Sequence, residues 1–88
     1  EASALAKSLS SSIRLRILVD LCYGQRRFGE LVAATGVRGG QLTHHLEPLV
    51  SQDLIQKGDD RYSLTVKGWQ SLLALLLANQ KQTESQHH

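Results

Sequence analysis

The sequence predicts a mainly α-helical fold with one small β-hairpin. Three observations carry that expectation. Apolar residues recur at helical spacing through several stretches, two short helical stretches flank a glycine-containing turn, and two strand-like runs flank Gly58-Asp59-Asp60. Eighty-eight residues leave room for one domain with one small core, expected to occupy residues 1–80 and to leave 81–88 as a polar tail.

The elements follow in order. Ala2 to Leu9 carries Leu5 and Leu9 one turn apart among small residues, which suggests a short helix. Ser10-Ser11-Ser12 offers an N-cap, and Ile13, Ile17, Leu18 and Leu21 then repeat at helical spacing until Gly24. Gln25 to Phe28 is long enough only for a connector or a brief extended piece. Gly29 to Thr35 reads as a short helix ended by Gly36, Val37 to Gly40 as a turn, and Gln41 to Ser51 as a second helix. In that helix Leu42, Leu46, Leu49 and Val50 share one face, and Pro48 removes one backbone hydrogen bond and should bend its end. The expected helix-turn-helix unit therefore spans about 29–51. The hairpin spans 54–64, with Leu54 to Lys57 and Arg61 to Leu64 as its strands. Thr65 is a good N-cap for a last helix over about 66–79, built on Val66, Trp69, Leu72, Leu73, Leu76 and Leu77.

Composition excludes several classes. The longest apolar run, residues 72–78, is far short of the ~20 residues that span a bilayer, so no membrane partner is expected. No basic stretch leading into an apolar run opens the chain, and its one cysteine, Cys22, suits a reducing compartment; both point to the cytoplasm. No Ser–His–Asp order, carboxylate pair, phosphate loop or dinucleotide-binding glycine pattern is present, so no enzyme activity and no cofactor are expected. A soft-metal site needs clustered thiolates, and adjacent His44 and His45 project about 100° apart on a helix, so no metal is expected.

The net charge of +2 is weak support for a polyanionic partner. Its distribution is more informative. Arg14, Arg16, Arg26, Arg27 and Arg38 face only Asp20 and Glu30 between 14 and 38, whereas Glu47, Asp53, Asp59 and Asp60 face only Lys57 between 47 and 60.

Four motifs in order then resemble one family. Arg14-Leu15-Arg16-Ile17-Leu18 is similar to an R-L-x-I-L helix, and Phe28-Gly29-Glu30-Leu31 with Thr35-Gly36-Val37 to the first helix and turn of a reading unit. Gln41 to Leu49 is similar to a recognition helix, and Leu54-Ile55 with Tyr62-Ser63-Leu64-Thr65 and Gly68 to a wing and its exit. Over about residues 9–70 the chain resembles the winged helix-turn-helix DNA-binding domain of prokaryotic transcription regulators, most like the ArsR and MarR groups. That resemblance implies a three-helix core with a β-hairpin wing, N- and C-terminal dimerisation helices, and a double-stranded DNA partner. It also places the strand of Arg26 and Arg27 beside the wing, and implies a left-handed residue at Asp53, where the family usually has Gly.

Under that reading the recognition helix enters the major groove and reads bases with its N-terminal residues. Gln41 suits adenine, Thr43 a thymine methyl, and His44 a base edge. Gly39 and Gly40 permit close backbone approach to phosphate, Arg38 is the charged contact at that end, and His45 ranks below His44. Arg61 is the wing's contact, while Asp59 and Asp60 carry the wrong sign for it. Arg14 and Arg16 are expected on a solvent face, able to pair with Asp20. Leu5, Leu9, Trp69, Leu72, Leu75 and Leu76 are the candidates for a homodimer interface, with some of the terminal leucines closing the core instead. A homodimer implies a near-palindromic site. The competing reading is a winged-helix protein–protein module without DNA binding, favoured by the acidic wing tip and the small net charge.

Overall fold

The computed structural model describes residues 12–86, with side chains up to residue 78. The expected helix at residues 2–9, Leu5 and Leu9 with it, lies outside the described residues, as do His87 and His88. The elements are α1 (Ser12–Cys22), β1 (Arg26–Arg27), α2 (Phe28–Thr35), α3 (Gly39–Ser51), β2 (Ile55–Lys57), β3 (Arg61–Leu64) and α4 (Val66–Gln86).

One core joins them. Ile17, Leu18 and Leu21 of α1 meet Leu31 of α2, Leu42, Leu46 and Leu49 of α3, Leu54, Ile55 and Tyr62 of the hairpin and Leu72 of α4. Val50, expected on the buried face of α3, is 40% exposed, because it lies at the edge of that face toward the wing. The turn between α2 and α3 closes locally. Gly36 takes φ 71° and its N–H donates to the Val32 carbonyl, while the Val37 N–H donates to Thr35 Oγ1.

The helix α3 starts two residues earlier than the sequence suggests, so Gly39 and Gly40 belong to its first turn rather than to a loop. The reason is packing. A Cβ at Gly39 would stand 3.3 Å from the Phe28 ring, a tight contact, so glycine suits the close approach of the first turn of α3 to α2. Pro48 sits inside a continuous helix, and only its own missing N–H is lost from the ladder.

Hydrogen bonds then close the end of α3 and tie it to the start of α4. Asp53 takes φ 62°, the left-handed conformation expected there. The Leu54 N–H donates to Leu49 O and the Asp53 N–H to Val50 O, the Schellman pattern, with Leu49 and Leu54 fully buried beneath it. Thr65 Oγ1 donates to Asp53 O at 2.6 Å and accepts the Gly68 N–H at 2.9 Å, so the N-cap of α4 is also a clasp on the end of α3.

The sheet has strand order β1-β3-β2, all antiparallel. The Arg26–Arg27 segment is therefore a third strand beside the wing, as the resemblance implies. The helix α4 runs to Gln86, seven residues beyond the expected end near Asn79, because no Gly or Pro interrupts residues 79–86.

Candidate nucleic-acid interface

The outward face of α3 is set by its inward one. Leu42, Leu46 and Leu49 are nearly fully buried, which turns Gly40, Gln41, Thr43, His44 and Glu47 to solvent. Arg38, in extended backbone just before the helix, is exposed beside them. Thr43 Oγ1 donates to the Gly39 carbonyl at 3.1 Å, so its hydroxyl proton is engaged within the helix, leaving its methyl and the oxygen's acceptor lone pairs for an outside partner. Five sequence-selected positions are thus brought together at one end of one helix.

Two positions differ from the rest. Gly39 is half-buried against Phe28, which accounts for the glycine by helix packing. His45 turns toward α1: it is half-buried, and its Nδ1 is buried without a hydrogen-bond partner. Burial, then the charge of Arg14, then His44 hold its pKa below the usual histidine value. A neutral, inward imidazole is poorly placed for a groove contact.

The wing stands across a cleft of about 300 Å³ from α3, lined by Thr43, Leu46, Glu47, Val50, Ser51, Lys57 and Tyr62. The Lys57 ammonium lies 6.0 Å from the Tyr62 ring centroid; Leu46, Val50 and Tyr62 give the cleft apolar lining, and Glu47 and Lys57 its charges. At the wing tip Arg61 is exposed, but it is not alone. Asp60 lies 3.9 Å from Arg61 Nε and 3.5 Å from Arg27 Nε. Asp20 pairs with Arg26 at 3.3 Å, correcting the expectation that it serves Arg14 or Arg16. Arg27, ambiguous from the sequence because its strand is expected beside the wing, stands opposite Arg61, a register that is a non-local fact.

On the last helix Leu72 is 3% exposed and belongs to the core, which removes it from the candidate interface. Trp69 and Leu76 are half-exposed, Leu75 is half-buried, and Val66, Leu73 and Leu77 join the exposed set. On a helical projection the exposed five fall within an arc of about 100°. Cys22 is half-buried, and burial pushes its thiol pKa up. Among the described residues no group of His, Cys, Asp and Glu could hold a metal ion, and no helix is long and apolar enough to cross a membrane.

A three-helix core, an exposed second helix of a helix-turn-helix and a hairpin beside it define a winged helix-turn-helix fold. Residues 3–79 match the family model described as the N-terminal domain of the methanogenesis regulatory protein FilR1, and the chain belongs to that family. No curated protein sequence matches it significantly. A regulator assigned to the MarR family, from Enterococcus faecalis V583, superposes with a TM-score of 0.81 at 23% identity, covering 98% of this chain and 86% of that one. The transcriptional repressor BigR from Xylella fastidiosa gives 0.73 at 27% identity, covering 88% and 84%. A homodimeric winged helix-turn-helix DNA-binding domain from Mycobacterium bovis, described as a possible ArsR-family regulator, gives 0.76 at 23% identity, covering 99% and 83%. The fold is that of DNA-binding regulators, and the family is a regulatory one rather than an enzyme family.

Proposed function

We propose that this protein is a sequence-specific double-stranded DNA-binding transcription regulator that acts as a homodimer. The observation that carries the reading is the N-terminal half of α3, where Gly40, Gln41, Thr43 and His44, with Arg38 just before them, are exposed on the side opposite a face locked into the core. In the major groove Gln41 bonds adenine, the Thr43 methyl meets thymine, and His44 bonds a base edge. Arg38, with the backbone of Gly40 and the helix N-terminus, engages phosphate. Arg61 extends the contact to the wing, and His45 serves packing rather than DNA.

The exposed stripe of α4, with Val66, Trp69, Leu73, Leu76 and Leu77, forms the dimer seam, since five large apolar side chains on one helix face need a cover, whereas the half-buried Leu75 projects beyond Leu72 on the core side and falls outside it. The homodimeric Mycobacterium bovis domain supports this assembly. A two-fold arrangement sets the recognition helices roughly 34 Å apart on a near-palindromic site. The protein–protein alternative draws on the acidic wing tip and the small net charge; at the tip two arginines offset Asp60.

The test is selection from a random duplex library followed by titration of the selected duplex against salt. A log K versus log salt slope of about −4 or steeper is expected, at about −0.9 per neutralised phosphate. Absence of binding to any duplex at low salt overturns the reading. Sedimentation of Leu73→Glu with Leu77→Glu should convert a dimer into a folded monomer; an unchanged mass overturns the seam.

A further inference from the structure

The two consecutive arginines of β1 do different work. Arg26 shares the inner face of the sheet with its register partner Tyr62 and is held by Asp20, with both partners of that ion pair largely covered. Arg27, one residue on, turns to the outer face, directly opposite Arg61. Like charges set directly opposite in a sheet repel, and nothing in β-pairing itself asks for that arrangement. The Asp60 carboxylate offsets it by reaching both guanidinium groups, one oxygen toward each Nε. All three side chains are half or more exposed, so the bridge is weakly held in water and costs little to open.

Two guanidinium groups converging on one oxyanion form a binding fork, and a carboxylate and a phosphate offer it the same acceptor geometry. We propose that Arg27 and Arg61 form a phosphate clamp on the wing, occupied in the free protein by Asp60 and taken over by a DNA backbone phosphate on binding. Asp60 then has a positive use: it holds two long side chains together at a spacing suited to one phosphate. The inference rests on the DNA-binding reading, and it adds Arg27 to the contact set with Asp60 as an internal competitor. The remaining charge on the fork is positive once Asp60 is released, which answers the sign problem of the wing tip.

The experiment measures affinity for the selected duplex across a salt series for the wild type, Arg27→Ala, Asp60→Asn and the double variant, with thermal melting of each. Arg27→Ala should flatten the salt slope by about 0.9 per protomer and weaken binding most at low salt. Asp60→Asn should bind several-fold more tightly with an undiminished slope, and the double variant should lose most of that gain. An unchanged slope in Arg27→Ala overturns the clamp. So does weaker binding by Asp60→Asn, whether or not its melting temperature falls, because the carboxylate would then be a structural tie. Wild-type protein that binds no duplex overturns the DNA-binding reading and the clamp together. A clamp failure alone leaves wild-type binding, and its loss of preference on changing Gln41 and His44, intact.

Discussion

The recognition helix and the wing share one scaffold but expose opposite chemistry. The first half of α3 presents neutral groups, Gly40, Gln41, Thr43 and His44, with Arg38 alone at its entrance. The wing tip presents Arg27, Asp60 and Arg61 in a small charged cluster. Neutral donors and acceptors distinguish bases and depend little on salt, whereas charges supply affinity that salt erodes. Under the proposed DNA-binding reading the difference makes specificity and electrostatic affinity separable, with the Asp53–Thr65–Gly68 junction joining the two regions.

The largest effect should come from breaking that junction. A Cβ at Gly68 would fall inside the contact distance of the Leu54 carbonyl oxygen and 2.8 Å from Leu64 Cδ1, and backbone cannot step aside cheaply. Gly68→Ala should cost roughly 2–4 kcal/mol in denaturant unfolding, and it should impair both contact regions at once. Next comes the recognition helix alone. Gln41→Ala with His44→Ala should remove about 1–3 kcal/mol of preference per lost base contact, read as the affinity ratio of selected to scrambled duplex. Its salt slope should stay that of the wild type; a flattened slope would merge the two regions into one electrostatic surface.

Smaller effects sharpen the same comparison. Thr65→Ala removes both the N-cap of α4 and its clasp on Asp53, and should cost about 1–2 kcal/mol of stability. Asp53→Gly relieves a left-handed non-glycine residue and should add about 0.5–1 kcal/mol without altering DNA affinity. Last is His45. Its depressed pKa means that the folded state binds fewer protons than the unfolded chain, so its contribution is present above the unfolded value and is lost as pH falls through the folded one. Melting should therefore fall on acidification from about pH 6.5, the unfolded histidine value, and His45→Leu should blunt that fall while leaving DNA affinity unchanged. Lost affinity would return His45 to the contact set.

Much of the scaffold was legible in the residues. The apolar spacing of Ile17, Leu18 and Leu21 and of Leu42, Leu46 and Leu49 identified the core faces, because helical periodicity is a local property. The left-handed Asp53 was legible through the resemblance, and Thr65 as a cap through its place before an apolar run. The start of α3 is not legible in the residues, because two adjacent glycines read as a turn until Phe28 is seen packed against the first. The exposure of Val50 and the choice of Leu72 as the core-closing leucine are not written in the residues, since a wide apolar stripe does not say which edge the neighbouring elements cover.

The sequence by itself determined the order of elements, the face that α3 buries and hence the side chains it can offer to a groove. Periodicity, caps and breakers act within a few residues and are written in the chain. Only the tertiary structure decided which way His45 turns, which leucines of α4 remain uncovered, and that Arg27 stands opposite Arg61 with Asp60 between them. Those facts depend on strand register and on helix packing between residues more than thirty positions apart, where local pattern carries no information.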